Sequence, residues 1–272
     1  NNHLFLQCIL DGINKNVLLH ASTSIYINSI PINRIFEDHK YIVSHGGTSY
    51  RENTNLVNNY FKHITNKYII QCPDLLGYTN INEQLIYYPL DCNYIKPDYT
   101  SNNQLIIGHF PSTSQVKGTS NILNIINKLE KNIEINKLFK YIGIRSQTNH
   151  NRVSWNANLN RMKECDVIIE GLNLKITDKI YGEWGNTCLE ASALGCIVCT
   201  HHLKLNEYNK YYNTTPSIQI CNDVDTLYTT LIKLIKMDKN DLLLLKKQGR
   251  KWVEDYHSLE KTGERLKSFI EK

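Results

Sequence analysis

From residue 105 onward the sequence alternates short apolar runs with longer stretches of helical period, and no other feature restricts its fold so tightly. "LIIGHF" (Leu105 to Phe110), "LFKYIGI" (Leu138 to Ile144), "CDVIIEG" (Cys165 to Gly171), "CIVCT" (Cys196 to Thr200) and "SIQIC" (Ser217 to Cys221) read as buried strands. A helix between the first two carries Ile122, Leu123, Ile125, Ile126 and Leu129 on one face. Apolar strands separated by helices specify an α/β protein with a parallel sheet. About five such units make one complete Rossmann-like domain. Ahead of it, "NVLLHAS" (Asn16 to Ser22), "KYIVSHGG" (Lys40 to Gly47) and "KYIIQCPD" (Lys67 to Asp74) read as strands of a second, shortened lobe. "LIYYPLDCNYIKP" (Leu85 to Pro97) holds two prolines before a polar stretch, so the expected division is 1–97 and 98–272.

Composition bounds what this architecture serves. With 272 residues, 41% hydrophobic and 21% charged, the chain can bury a substantial core as a soluble protein. A net charge of +5 without a Lys/Arg block does not point to nucleic acid. No apolar run reaches the length of about eighteen residues that a membrane helix needs, so no integral membrane segment is expected. Eight cysteines spread through apolar contexts predict reduced thiols and a cytoplasmic setting, soluble or peripheral to a membrane. Cys196 and Cys199, with His201 and His202 behind them, have the look of a zinc site. On a strand, however, residues three apart point to opposite faces, so these cysteines read as core and no metal is expected.

Three stretches could carry chemistry. In "GHFPSTSQVKGTSNILNII" a strand ends, a loop of small residues follows, and Lys117-Gly118-Thr119 opens a helix that Thr119 or Ser120 could cap. A helix N-terminus beside a lysine favours a phosphate; the same pattern also serves as an ordinary strand-to-helix turn. In "YGEWGNTCLEASALGCIVCT" Gly182 and Gly185 can make a tight turn, with Asn186 or Thr187 as cap and Gly195 ending the helix. Glu190 falls roughly 4.5 Å along the axis from Thr187, a distance at which it could accept from a ribose diol if a diphosphate sat on the helix start. It could equally be a surface glutamate. In "VSHGGTSYRE" His45 follows a strand and could face a cleft, or be a plain turn histidine. Neither a P-loop, a G-x-G-x-x-G fingerprint nor a D-x-D pair is present, which counts against a Rossmann oxidoreductase and a metal-held nucleotide sugar.

Taken together, "GHFPSTSQVKGT", "CDVIIEGLNLKITDKIYGEWGNTCLEASALGCIVCT" and "GRKWVEDYHSLEKTGERLKSFIEK" resemble the donor domain of GT-B-fold glycosyltransferases of the family-4 type. "SHGGTSYRE", "CPDLLGY" and "YYPLDCNYIKP" resemble the later part of the acceptor domain and linker. The resemblance implies a donor domain at 98–272 and a partial acceptor-side domain at 1–97, with the first strands of a full GT-B protein missing ahead of Asn1. It implies sugar transfer from a nucleoside-diphosphate sugar, UDP- or GDP-linked, to a glycan, lipid or protein hydroxyl, with retention and without metal or other cofactor. Lys117 would pair with the diphosphate, Gly185-Asn186-Thr187 would donate amides, and Glu190 would hold the ribose. His45 and Gly46 match the position that meets the transferred sugar, and His45 is a catalytic candidate there beside Glu183. The donor set extends to His109, Ser112, Gly118, Thr119 and Val153. His109 stands where the family often has arginine. Gly182 takes the place of the first glutamate of the family's E-x7-E pair, with Glu183 one position off as the catalytic candidate. The alternative reading is a GT-B-like module that binds a nucleotide sugar or a partner without turnover.

Overall fold

The computed structural model describes residues 17–21, 26–27, 30–31, 40–63, 65–79, 82–146, 153–172, 185–201 and 204–271. They fall into two compact units, Asn1–Tyr87 with Glu264–Lys272, and Tyr88–Gly263.

The first unit is built on a four-stranded parallel sheet, ordered β1-β4-β5-β6: Val17–Ala21, Lys40–His45, Tyr68–Ile70 and Glu83–Leu85. Two short strands, β2 (Tyr26–Ile27) and β3 (Ile30–Pro31), pair antiparallel. The chain between β4 and β5 forms α1 (Gly47–Glu52) and α2 (Thr54–Phe61). One side of the sheet is covered from far along the sequence: Ile42, Ile69 and Ile86 pack against Phe269, with Leu266 and Ile270 beside it.

The second unit carries a five-stranded parallel sheet ordered β11-β10-β9-β7-β8. Its strands are β7 (Leu105–Gly108), β8 (Phe139–Tyr141), β9 (Val167–Gly171), β10 (Ile197–Thr200) and β11 (Gln219–Ile220), inside the predicted runs. Helices α3 (Thr119–Lys131), α4 (Ile133–Asn136), α5 (Trp155–Lys163), α6 (Asn186–Ala193), α7 (Leu205–Tyr212) and α8 (Val224–Ile235) lie between or after the strands. Two more, α9 (Lys239–His257) and α10 (Leu259–Glu271), follow. The predicted apolar face of α3 is real: Ile122, Ile125, Ile126 and Leu129 are buried, with Leu123 half-buried at its edge. They share a core with Ile107, Val167, Ile169, Ile197 and Cys199. Because β7 comes first yet sits between β8 and β9, the direction of winding reverses there. A crevice opens at the carboxyl ends of strands at such a reversal, where open α/β sheets hold ligands.

Arg250 on α9 locks this unit together. Its guanidinium donates to the carbonyls of Ile95 (2.6 Å), Ala193 (2.7 Å) and Cys92 (2.7 Å), joining the C-terminus of α6 to the segment entering the unit. The same segment is held by Leu90 N–H on His257 O (2.9 Å) and Asp98 N–H on Leu194 O (3.0 Å). Gly195 ends α6 with φ 82°, the left-handed C′ conformation expected of it. α6 and α9 pack together here: a Cβ built on Gly249 would stand 3.8 Å from that of Ser192, an ordinary van der Waals contact. Arg250→Ala leaves three carbonyls without their donor and is expected to cost about 3–5 kcal/mol, read as a fall in the urea midpoint.

Candidate functional site

The loop leaving β7 is pinned before it reaches its helix. His109 is fully buried, with Nδ1 2.7 Å from Ile169 O and Nε2 3.0 Å from Thr119 Oγ1. A carbonyl can only accept, so Nδ1 carries the proton and Nε2 accepts from the Thr119 hydroxyl. His109 is thus turned inward, tying β7 to β9 and to the start of α3. The cap of α3 is Gly118, in the left-handed region at φ 64°, and not Thr119 or Ser120: Thr119 is the first helical residue and its side chain is committed to His109. The loop is further fastened by Lys117 O, which accepts from Leu172 N–H at 3.0 Å.

Lys117 reaches across the reversal point to Glu170, the only charged residue in β9. The carboxylate is buried to 1% side-chain exposure. Besides the ammonium it accepts from the Thr200 hydroxyl (3.0 Å) and, at 3.4 Å, from the amide of Gly185. Burial alone would raise the pKa of Glu170, but the charge and hydrogen bond of Lys117, with help from Thr200, hold it below the usual carboxylate range. "VIIEG" reads in sequence only as a strand. The signal was there: a carboxylate inside an apolar strand requires a partner.

α6 begins beside this pair. Its cap is Gly185, in extended conformation and without a side-chain acceptor, so Asn186 is the first helical residue rather than the cap. A helix start without a side-chain cap presents amide donors and partial positive charge to whatever lies in front of it. Glu190, one turn on, is half-buried and accepts from the indole N–H of Trp155 at 2.7 Å. Burial raises its pKa, partly offset by that bond. A cavity of about 470 Å³ opens over the ends of β7 and β8, lined by Phe110, Ser112, Val153, Trp155, Arg161 and Thr187 among others. The second unit therefore gathers Ser112, Val153 and Thr187 at one cavity, and Lys117 with Gly185 at one ion pair. His109 and Thr119 are in the layer beneath. Glu183 lies outside the described residues.

His45 belongs to the first unit and is packed inside it rather than set on an open turn. It stacks on Tyr50 (centroids 3.9 Å apart, planes at 5°) and on Tyr68 (5.2 Å, 14°), with the edge of Phe61 close by. It is fully buried and, among the described residues, neither ring nitrogen has a hydrogen-bond partner. Gly46 follows, where a Cβ would collide with the Gln71 side chain. Cys196 and Cys199 face different surroundings: the Cys196 thiol lies 3.3 Å from the Met162 and Cys165 carbonyls, while Cys199 is in the sheet core. Among the described residues no group of three or more His, Cys, Asp or Glu side chains is arranged to hold a metal, and no helix is long and apolar enough to cross a membrane.

No protein-family model and no curated protein matched the chain. Solved structures did. Sucrose-phosphate synthase from Thermosynechococcus elongatus is similar at a TM-score of 0.60 and 12% identity, over 94% of this chain and 73% of that one. Anabaena HepE, solved in complex with UDP-glucose, is similar at 0.60 and 11%, over 88% and 74%. The N-terminal domain of Candida albicans trehalose-6-phosphate phosphatase is similar at 0.64 and 10%, over 95% and 72%. With its two parallel-sheet units, the chain has the GT-B fold of the glycosyltransferases among these structures. At such identities the likeness is one of fold.

Burial pushes the His45 imidazole down to a pKa of about 3, from 6.5 when free. The unfolded chain then binds the extra proton first, so stability is complete above pH 6.5 and declines as the pH falls toward 3. Between pH 6.5 and 5 this group is expected to remove about 2 kcal/mol. Urea titrations at both pH values should show this loss in the wild type and a smaller one in His45→Phe.

Proposed function

We propose that the chain is a glycosyltransferase that takes a nucleoside-diphosphate sugar in its second unit and transfers the sugar to a hydroxyl acceptor. The observation carrying this reading is the convergence at the β7/β9 reversal: Lys117, the start of α6 without a side-chain cap, and Glu190 one turn on, beside a cavity of about 470 Å³. The GT-B fold supports it, as does the UDP-glucose bound in HepE. In this reading the nucleoside enters the cavity past Ser112 and Val153, and the ribose hydroxyls donate to Glu190. The diphosphate lies before the amides of Asn186 and Thr187, within reach of Lys117. A positive helix end and an ammonium can stabilise a departing diphosphate without a metal ion. UDP or GDP as donor base, retention, Glu183 as catalytic carboxylate, the split into acceptor and donor sides near residue 97, and a glycan, lipid or protein acceptor belong to the same proposal. A contact between His45 and the sugar would require the imidazole to leave its tyrosine stack, so the donor side carries the reading.

One observation favours the alternative of a GT-B-like module without turnover. Lys117 is already neutralised by Glu170, a buried carboxylate that stands where a diphosphate would meet like charge. Hydrolysis of a nucleotide sugar that depends on both Lys117 and Glu190 would decide for the enzyme; binding without turnover would decide for the module.

UDP-, GDP- and ADP-sugars should be compared by thermal shift, because a ligand of the native state raises its stability. One of them is expected to raise the melting temperature by several degrees at about a hundredfold excess over Kd, and Glu190→Ala to remove most of that rise. If no member of the panel moves the transition and Glu190→Ala changes nothing, the donor-site reading is wrong.

A further inference from the structure

Trp155 opens α5 at the rim of the cavity, and its indole N–H is committed to Glu190 Oε1. An indole nitrogen can only donate and a carboxylate can only accept, so the bond engages Oε1, one of the two oxygens that a ribose diol would use in a paired contact. The ring is no core residue: it is 48% exposed. It is nevertheless fixed. Tyr94, itself 57% exposed, stacks on it with centroids 5.7 Å apart and planes at 15°. The Tyr94 hydroxyl donates to Asn156 Oδ1 (3.1 Å), and the Asp91 carboxylate accepts from the amides of Asn93 and Tyr94 (2.9 Å each), setting the turn that presents the ring. Two half-exposed rings are thus held in one arrangement, and among the described residues the group to which the Trp155 indole N–H donates is Glu190.

We propose that Trp155 is a latch on Glu190: with the cavity empty its indole N–H occupies the carboxylate, and an entering nucleoside diphosphate exchanges that N–H for its ribose hydroxyls and frees the ring. The inference rests on the nucleotide reading above and adds to it a residue that sets affinity by competition. It also identifies the group that moves. Glu190 stays in place on α6, whereas the described contacts of the indole are its stack on Tyr94 and the bond it gives up. A ligand without a diol has nothing to offer Glu190 in exchange and leaves the latch closed.

The full chain should be titrated with UDP and, separately, with GDP, following tryptophan emission and, by calorimetry, affinity. Wild type, Trp155→Phe and Glu190→Ala are compared. Phenylalanine keeps an aromatic face for Tyr94 and removes only the donor. Nucleotide is expected to change the emission of the wild type, and most of that change should be missing in Trp155→Phe; the other two tryptophans, Trp184 and Trp252, remain in both. Trp155→Phe should bind about two- to tenfold more tightly, since one competing hydrogen bond is gone, and Glu190→Ala more weakly than wild type. If Trp155→Phe binds no better than wild type while Glu190→Ala binds worse, the latch is overturned and the nucleotide reading stands. If neither nucleotide binds the wild type, or Glu190→Ala binds as well as wild type, both are overturned.

Discussion

The ion pair between Lys117 and Glu170 is the contact on which the second unit's ligand-side surface depends. A carboxylate this deeply buried would be strongly unfavourable alone. Its partners come from three directions: the ammonium from the loop after β7, a hydroxyl from the end of β10, and an amide from the turn that starts α6. The loop is also held through His109 and the Leu172 amide, and Thr200 is paired within the sheet. The pair therefore joins, at one carboxylate, three segments that are otherwise fixed separately. His109 does similar work one layer down, with two neutral hydrogen bonds in place of an ion pair.

Much of the second unit was legible because burial writes itself into sequence. β7, β9 and β10 are apolar on both faces, and α3 shows its stripe at Ile122, Ile125, Ile126 and Leu129. Gly195 could be read as a helix stop because a left-handed residue there is cheap only for glycine. The first unit was harder. α1 and α2 run through "GTSYRENTNLVNNYF", whose buried positions among the described side chains are Tyr50, Val57 and Phe61, too few to establish a period over the surrounding asparagines. β6 is "EQL", a polar strand at the sheet edge with one buried residue.

At the candidate site the sequence located the loops correctly but missed how they are finished. The side-chain capping preference points to Thr119 or Ser120 and to Asn186 or Thr187, whereas both helices start from the glycines just ahead of them. At Thr119 that choice depends on a tertiary demand, since His109 takes up its hydroxyl. The inward turn of His109 and the stacking of His45 between two tyrosines are likewise invisible to spacing, because a loop histidine and a core histidine differ only in what surrounds them. Glu170 and the Trp155–Glu190 bond are long-range pairs, 53 and 35 residues apart counting Lys117 and Trp155 as their partners, and no local pattern announces them.

The first unit's sheet is covered by Phe269, Leu266 and Ile270, contributed by residues that follow the whole of the second unit. Synthesis therefore delivers this unit in two instalments. When β6 has emerged from the ribosome, Ile42, Ile69 and Ile86 still lack the contacts that Leu266, Phe269 and Ile270 will give them. The second unit can close first, because its strands and most of its helices are contiguous. A fragment ending near residue 87 would lack these three side chains, so the sheet contacts they make form only after the second unit has been made.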